Sequence, residues 1–84
     1  MIDMLKAIAE DNRFKIIQIL SEKSLCVCEI VERLNISQNL VSHHLSVLKK
    51  VGLTDNCRCG KNNYYTLNKQ SLKKLNKIIT KLGE

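Results

Sequence analysis

Two runs of apolar residues at helical spacing, separated by only three residues, set the tightest limit on how this chain folds. Val27, Ile30, Val31 and Leu34 fall at i, i+3, i+4 and i+7, the stripe of a helix with one buried face. Val41, Leu45 and Leu48 resume helical spacing after the break. Between the runs, Asn35-Ile36-Ser37 interrupts the pattern. Asn and Ser compete for local backbone hydrogen bonds, and Ser37 is a good N-cap. Two helices joined by so short a turn predict a helix-turn-helix.

The flanking segments complete the reading. Residues 1–10 predict a short helix with Ile2, Leu5, Ile8 and Ala9 on one face. Asp11 or Asn12 can cap a second helix carrying Phe14, Ile16, Ile17 and Leu20. The third helix follows Ser24, and the fourth runs to about Lys50. Gly52 followed by Leu53 has the form of a C-cap with its apolar contact. After Gly52 the period changes to two. Residues 53–59 and 63–67 predict two short strands, with Gly60-Lys61-Asn62 as the turn. Tyr65 and Leu67 share one strand face, so the tyrosines read as packing rather than base-stacking groups. A last helix, about 69–82, carries the stripe Leu72, Leu75, Ile78, Ile79 and Leu82. The predicted fold is mostly α with a small β-hairpin, α-α-α-α-β-β-α. It forms one domain, with the helix-turn-helix at about 25–50 and a wing at about 53–67.

Composition narrows the partners. The 84 residues carry 14 Lys and Arg against 8 Asp and Glu, a net charge of +6. Such an excess suits a polyanion, most simply nucleic acid. No apolar run approaches the ~20 residues of a membrane span, and no signal peptide is visible. The four cysteines therefore read as cytoplasmic thiols, as ligands or redox groups rather than a disulfide framework.

The fourth helix offers outward Gln38, Asn39, Ser42, His43, Ser46 and Lys49, none of them acidic. Gln and Asn can pair with adenine in two hydrogen bonds, and Ser with several base edges. A recognition helix presents its N-terminal residues to the major groove, and its positive end, at Ser37, also suits a phosphate. Arg58 and Lys61 give the hairpin a basic tip, suited to a phosphate backbone or a minor groove.

Cys26 and Cys28 lie where the third helix should begin. Thiolates are soft ligands for zinc, cadmium, lead, copper(I) or trivalent arsenic, and a helix N-terminus favours the thiolate. On a regular helix, residues i and i+2 diverge, so this pair converges only in an open first turn. Cys57 and Cys59 fall at i and i+2 of a strand, where side chains share a face and could chelate together. No acidic orienter or oxyanion motif accompanies a Cys–His pair, so no enzyme is expected.

The chain resembles the ArsR/SmtB family of winged-helix, metal-responsive repressors. The resemblance is carried by Leu5-Lys6-Ala7-Ile8-Ala9, Leu25-Cys26-Val27-Cys28-Glu29, the run Ser37-Gln38-Asn39-Leu40-Val41-Ser42-His43-His44-Leu45, Leu48, Gly52-Leu53, and Gly60-Lys61 to Tyr64-Tyr65-Thr66-Leu67. It covers about Met4 to Leu67. It implies a homodimer held by the first and last helices, about 2–10 and 69–82. It implies repression through an inverted-repeat operator in double-stranded DNA, weakened by an inducer. His43 and His44 match the family's recognition helix, which implies DNA-facing or structural roles rather than metal ligation.

No permanently bound cofactor is implied. The inducer would be a metal or metalloid, arsenic(III), cadmium, lead or zinc, at Cys26 and Cys28, with Cys57 and Cys59 as further candidate ligands. Similar arsenic sensors add a third cysteine near Val31, and similar cadmium sensors add N-terminal cysteines. Neither is present here. The last helix also lacks the Asp and His pattern of zinc-sensing members. Two alternatives use the same residues: a redox- or persulfide-sensing repressor, and a constitutive DNA-binding regulator.

Overall fold

Eight elements follow one another in the computed structural model of the chain, which describes residues 2–83. They are α1 (Ile2–Ile8), α2 (Asp11–Leu20), β1 (Leu25–Cys26), α3 (Val27–Leu34), α4 (Gln38–Lys50), β2 (Thr54–Cys59), β3 (Asn62–Leu67) and α5 (Lys69–Leu82). The mostly helical, winged helix-turn-helix reading holds, with one addition. The segment ahead of α3 is a strand, and it turns the expected hairpin into a three-stranded sheet of order β1-β3-β2. Two residues are too few to reveal a period of two, so β1 leaves no pattern in the sequence.

Local chemistry explains the boundaries. The cap of α2 is Glu10 rather than Asp11 or Asn12, and its carboxylate accepts the Arg13 amide at 2.9 Å. Ser37 caps α4 as expected, its Oγ accepting the Leu40 amide at 3.2 Å. Between α3 and α4, Asn35 takes the left-handed conformation (φ 54°), which Asn tolerates better than most residues. After α4, the Gly52 amide bonds to Lys49 O and the Leu53 amide to Leu48 O, each at 3.0 Å. That pair of bonds is a Schellman closure. Gly52 supplies the positive φ of 82° it requires, and Leu53 is fully buried behind it.

Ile16, Leu25, Ile30, Val41, Leu45, Leu48 and Leu53 form the centre of one apolar cluster. Phe14, expected on the inner face of α2, is 48% exposed. Arg13 instead takes the inward position one turn before Ile16 and Ile17, and its Nε donates to Ala7 O at 2.7 Å.

The register sorts the strands into two faces. Leu25 lies opposite Tyr65, which lies opposite Asn56, while Cys26 lies opposite Tyr64, which lies opposite Cys57. Opposed residues share a face. Leu25, Tyr65, Leu67, Thr54, Asn56 and Arg58 therefore lie on the inner face, towards the core and α4. Cys26, Tyr64, Cys57 and Cys59 lie on the outer face.

Candidate functional site

The helix-turn-helix is built by α3 and α4, with α4 held by Val41, Leu45 and Leu48. Its remaining surface carries Gln38, Asn39, Ser42, His43, Ser46 and Lys49, all exposed. Ser37 stands exposed at its positive end, although its hydroxyl already accepts the Leu40 amide. Lys49 Nζ donates to Asn56 Oδ1 of β2, which ties the end of the recognition helix to the sheet. Arg58 lies two residues further along the same face of β2 and is exposed. Lys61 sits in the two-residue turn after Gly60, whose φ of 64° suits the first position of a type II′ hairpin turn. Helix face and wing thus give one acid-free polar surface with a cationic border. Leu40, 39% exposed on this surface, was not among the expected residues. It falls one residue before the stripe at Val41, out of phase with the core.

His44 requires a correction. The resemblance gave it a DNA-facing or structural role alongside His43 and made it a candidate DNA contact, but it is buried at 5% exposure and cannot reach a base edge. It belongs to the inward stripe, three residues after Val41 and four before Leu48. Its Nδ1 lies 3.3 Å from Arg13 Nη1. Arginine can only donate, so Nδ1 accepts and the ring proton sits on Nε2. Among the described residues that nitrogen has no hydrogen-bond partner, and it faces Glu10 Oε2 at 3.7 Å. Burial pushes the imidazole pKa down, the Glu10 carboxylate opposes that, and Arg13 and His43 add to it. The bond from the Arg13 amide holds the Glu10 carboxyl below its ordinary value, against partial burial. Through this node α1, α2 and α4 share one polar contact.

The thiol pair lies at the other end of the motif. Cys26 is the extended residue at the start of α3 (φ −84°, ψ 166°), and its amide donates to Glu29 Oε1 at 3.1 Å. The first turn is therefore open at Cys26, two residues before Cys28. The neighbouring Cys28 thiol is the main cause of a raised Cys26 pKa. Desolvation adds to the rise, while the Glu29 amide works against it. The expected thiolate-favouring effect of the helix end is therefore present but outweighed at Cys26. Cys26 is half-buried and Cys28 exposed, and all four cysteines are free thiols.

Two neighbouring soft donors fit a thiophilic ion in chemistry. Among the described residues, no three His, Cys, Asp or Glu side chains converge, so one chain supplies two such ligands here. Cys57 and Cys59 stand on the exposed outer face of β2, in the same sheet face as Cys26 but across Tyr64. No helix among the described residues is long and apolar enough to cross a membrane.

A capped recognition helix, a short turn and a basic wing define a DNA-binding regulator of the winged helix-turn-helix class. Residues 10–55 match the bacterial regulatory protein, arsR family. A helix-turn-helix transcriptional regulator of Methanocaldococcus jannaschii is 33% identical over 95% of this chain and 91% of its own length. A cadmium resistance regulatory protein homologue of Staphylococcus aureus is 39% identical over 83% of this chain, which spans 59% of that relative. The crystal structure of a possible transcriptional regulator for arsenical resistance superposes with a TM-score of 0.86 at 29% identity, covering 95% of this chain and 83% of the other. The chain belongs to the ArsR/SmtB family of DNA-binding transcriptional regulators, which are not enzymes.

Proposed function

We propose that this regulator is a homodimeric repressor that binds an inverted-repeat operator and leaves it when a soft metal or metalloid joins Cys26 and Cys28. Gln38, Asn39, Ser42, His43 and Ser46 read bases in the major groove. Leu40 offers an apolar contact to a thymine methyl. Ser37, Lys49, Arg58 and Lys61 lie against phosphates. The observation that carries the inducer reading is the placement of two free thiols at the open start of α3, the helix that packs on α4. The cadmium resistance relative and the arsenical resistance structure support the choice of ion class. A ligand at this point biases DNA binding only if it binds the free and DNA-bound states unequally.

The test is a titration of fully reduced protein, bound to an operator selected from random duplexes, with cadmium and with trivalent arsenic. Release in the wild type and none in Cys26→Ser/Cys28→Ser is the expected result. Unchanged operator affinity at thiol saturation rejects the inducer reading and leaves a constitutive regulator. Because free thiols are also open to oxidation, a peroxide arm separates the redox alternative. Release by peroxide alone, reversed by a reducing thiol, favours that reading.

A further inference from the structure

The sheet register assigns a role to the second thiol pair, which neither the family match nor the relatives address. We propose that Cys57 and Cys59 form a separate two-thiolate site for a thiophilic cation on the outer face of the wing. The site uses the same soft-ligand chemistry as Cys26 and Cys28 but none of its residues.

Three features carry the assignment. First, Cys57 and Cys59 lie opposite Tyr64 and Asn62 in an unbroken β2–β3 ladder, so both side chains rise from one face, both exposed. Second, the spacing selects metal over disulfide. Residues i and i+2 of a strand stand about 6.8 Å apart, whereas a disulfide needs Cβ atoms about 3.5–4.5 Å apart. Sulfurs bound to one ion at about 2.3 Å each span up to about 4.6 Å. Side chains turned towards each other by their choice of χ1 rotamer can meet that span without breaking the ladder.

Third, the cross-strand row Cys26–Tyr64–Cys57 keeps the two thiol pairs apart. Cys26 and Cys57 are two strands apart, about 9.6 Å between backbones. The Tyr64 side chain stands between them, its hydroxyl accepting from Asn62 Nδ2 at 3.3 Å. One ion cannot bridge that row, so the four thiols make two sites rather than one.

Loading is simple ligand exchange. Cadmium(II) forms two S–Cd bonds, the two thiols release two protons to solvent, and water fills the remaining positions on the ion. Nothing is oxidised. The site straddles Arg58, whose side chain points to the opposite, DNA-side face of the same strand. An ion here therefore stiffens the strand that carries the wing's cation.

The deciding experiment loads fully reduced protein with cadmium(II) and counts bound ions per chain by native mass spectrometry, with thiolate–cadmium absorption in parallel. The wild type is expected to hold two. Cys57→Ser/Cys59→Ser and Cys26→Ser/Cys28→Ser are each expected to hold one. One ion in the wild type and one in Cys57→Ser/Cys59→Ser overturns the proposal, because the wing is then idle. One ion in the wild type and none in either double variant also overturns it, in favour of a shared site. One ion in Cys26→Ser/Cys28→Ser and none in Cys57→Ser/Cys59→Ser supports the wing site while removing the inducer reading above. Peptide-resolved alkylation of the wild type needs no variant. Cys57 and Cys59 should be shielded once cadmium is saturating, and an unchanged alkylation rate counts against the site.

Discussion

His44 illustrates how one polar side chain can be structural on a helix otherwise committed to DNA. It is buried, it accepts from Arg13, and its remaining proton faces Glu10. Its pKa is lowered chiefly by burial, so the folded chain resists protonation there. Below the ordinary histidine value of about 6.5, the unfolded chain takes up a proton that the folded chain does not. Stability is thus full above that value and falls as pH drops through it. Thermal melts from pH 7.5 to 5 should show the melting temperature falling more steeply in the wild type than in His44→Gln. Parallel curves would mean that His44 does not carry the effect. The neighbouring His43 is exposed and lacks these contacts, so adjacent histidines serve the two sides of one helix.

At the scale of elements, α4 and the wing divide the work of binding. Base-edge contacts carry discrimination, while phosphate contacts carry salt dependence. Ser42→Ala or His43→Ala should weaken operator binding by roughly 1–3 kcal/mol with little change in salt slope. Arg58→Ala and Lys61→Ala should each flatten the slope of log K against log salt by about 0.9 for the phosphate lost. Operator titrations at several salt concentrations separate the two, and unchanged binding in both sets defeats the docking geometry. Much of this geometry was legible in the chain. Ser37 as cap, the 41/45/48 stripe, the Gly52-Leu53 closure and the change of period after it each have a local cause. What was not legible depended on contacts distant in sequence. The pairing of Leu25 with Tyr65 joins residues that no local pattern links, and without β1 the alignment of Cys26 with Cys57 is invisible. His44 did leave a signal, its place in the inward stripe, but its candidacy as a DNA contact rested on the match to the family's recognition helix. The helix end at Cys26 has its usual effect, outweighed by the neighbouring Cys28 thiol and by desolvation.

For the whole molecule, the unresolved demand is apolar surface. Leu75 of α5 is buried, yet Ile78, Ile79 and Leu82 are 39%, 51% and 81% exposed, and Ile2 and Leu5 of α1 are 68% and 41% exposed. Exposed apolar surface of this extent marks an interaction site, and the proposed homodimer would cover it. Ile79→Glu should then sediment as a monomer and lose operator affinity at least tenfold, because two half-sites no longer act together. A variant that stays dimeric moves the seam elsewhere.

The short strand β1 has a mechanical consequence. Its ladder ends at Cys26, and its partner β3 is the middle strand of the wing. A ligand that pulls on Cys26 therefore acts on two linkages at once: a compliant one through side-chain packing of α3 on α4, and a stiff one through backbone hydrogen bonds to β3. The stiff linkage can tilt the wing before the recognition helix has shifted. A regulator wired in this way could let go of phosphates first and bases second.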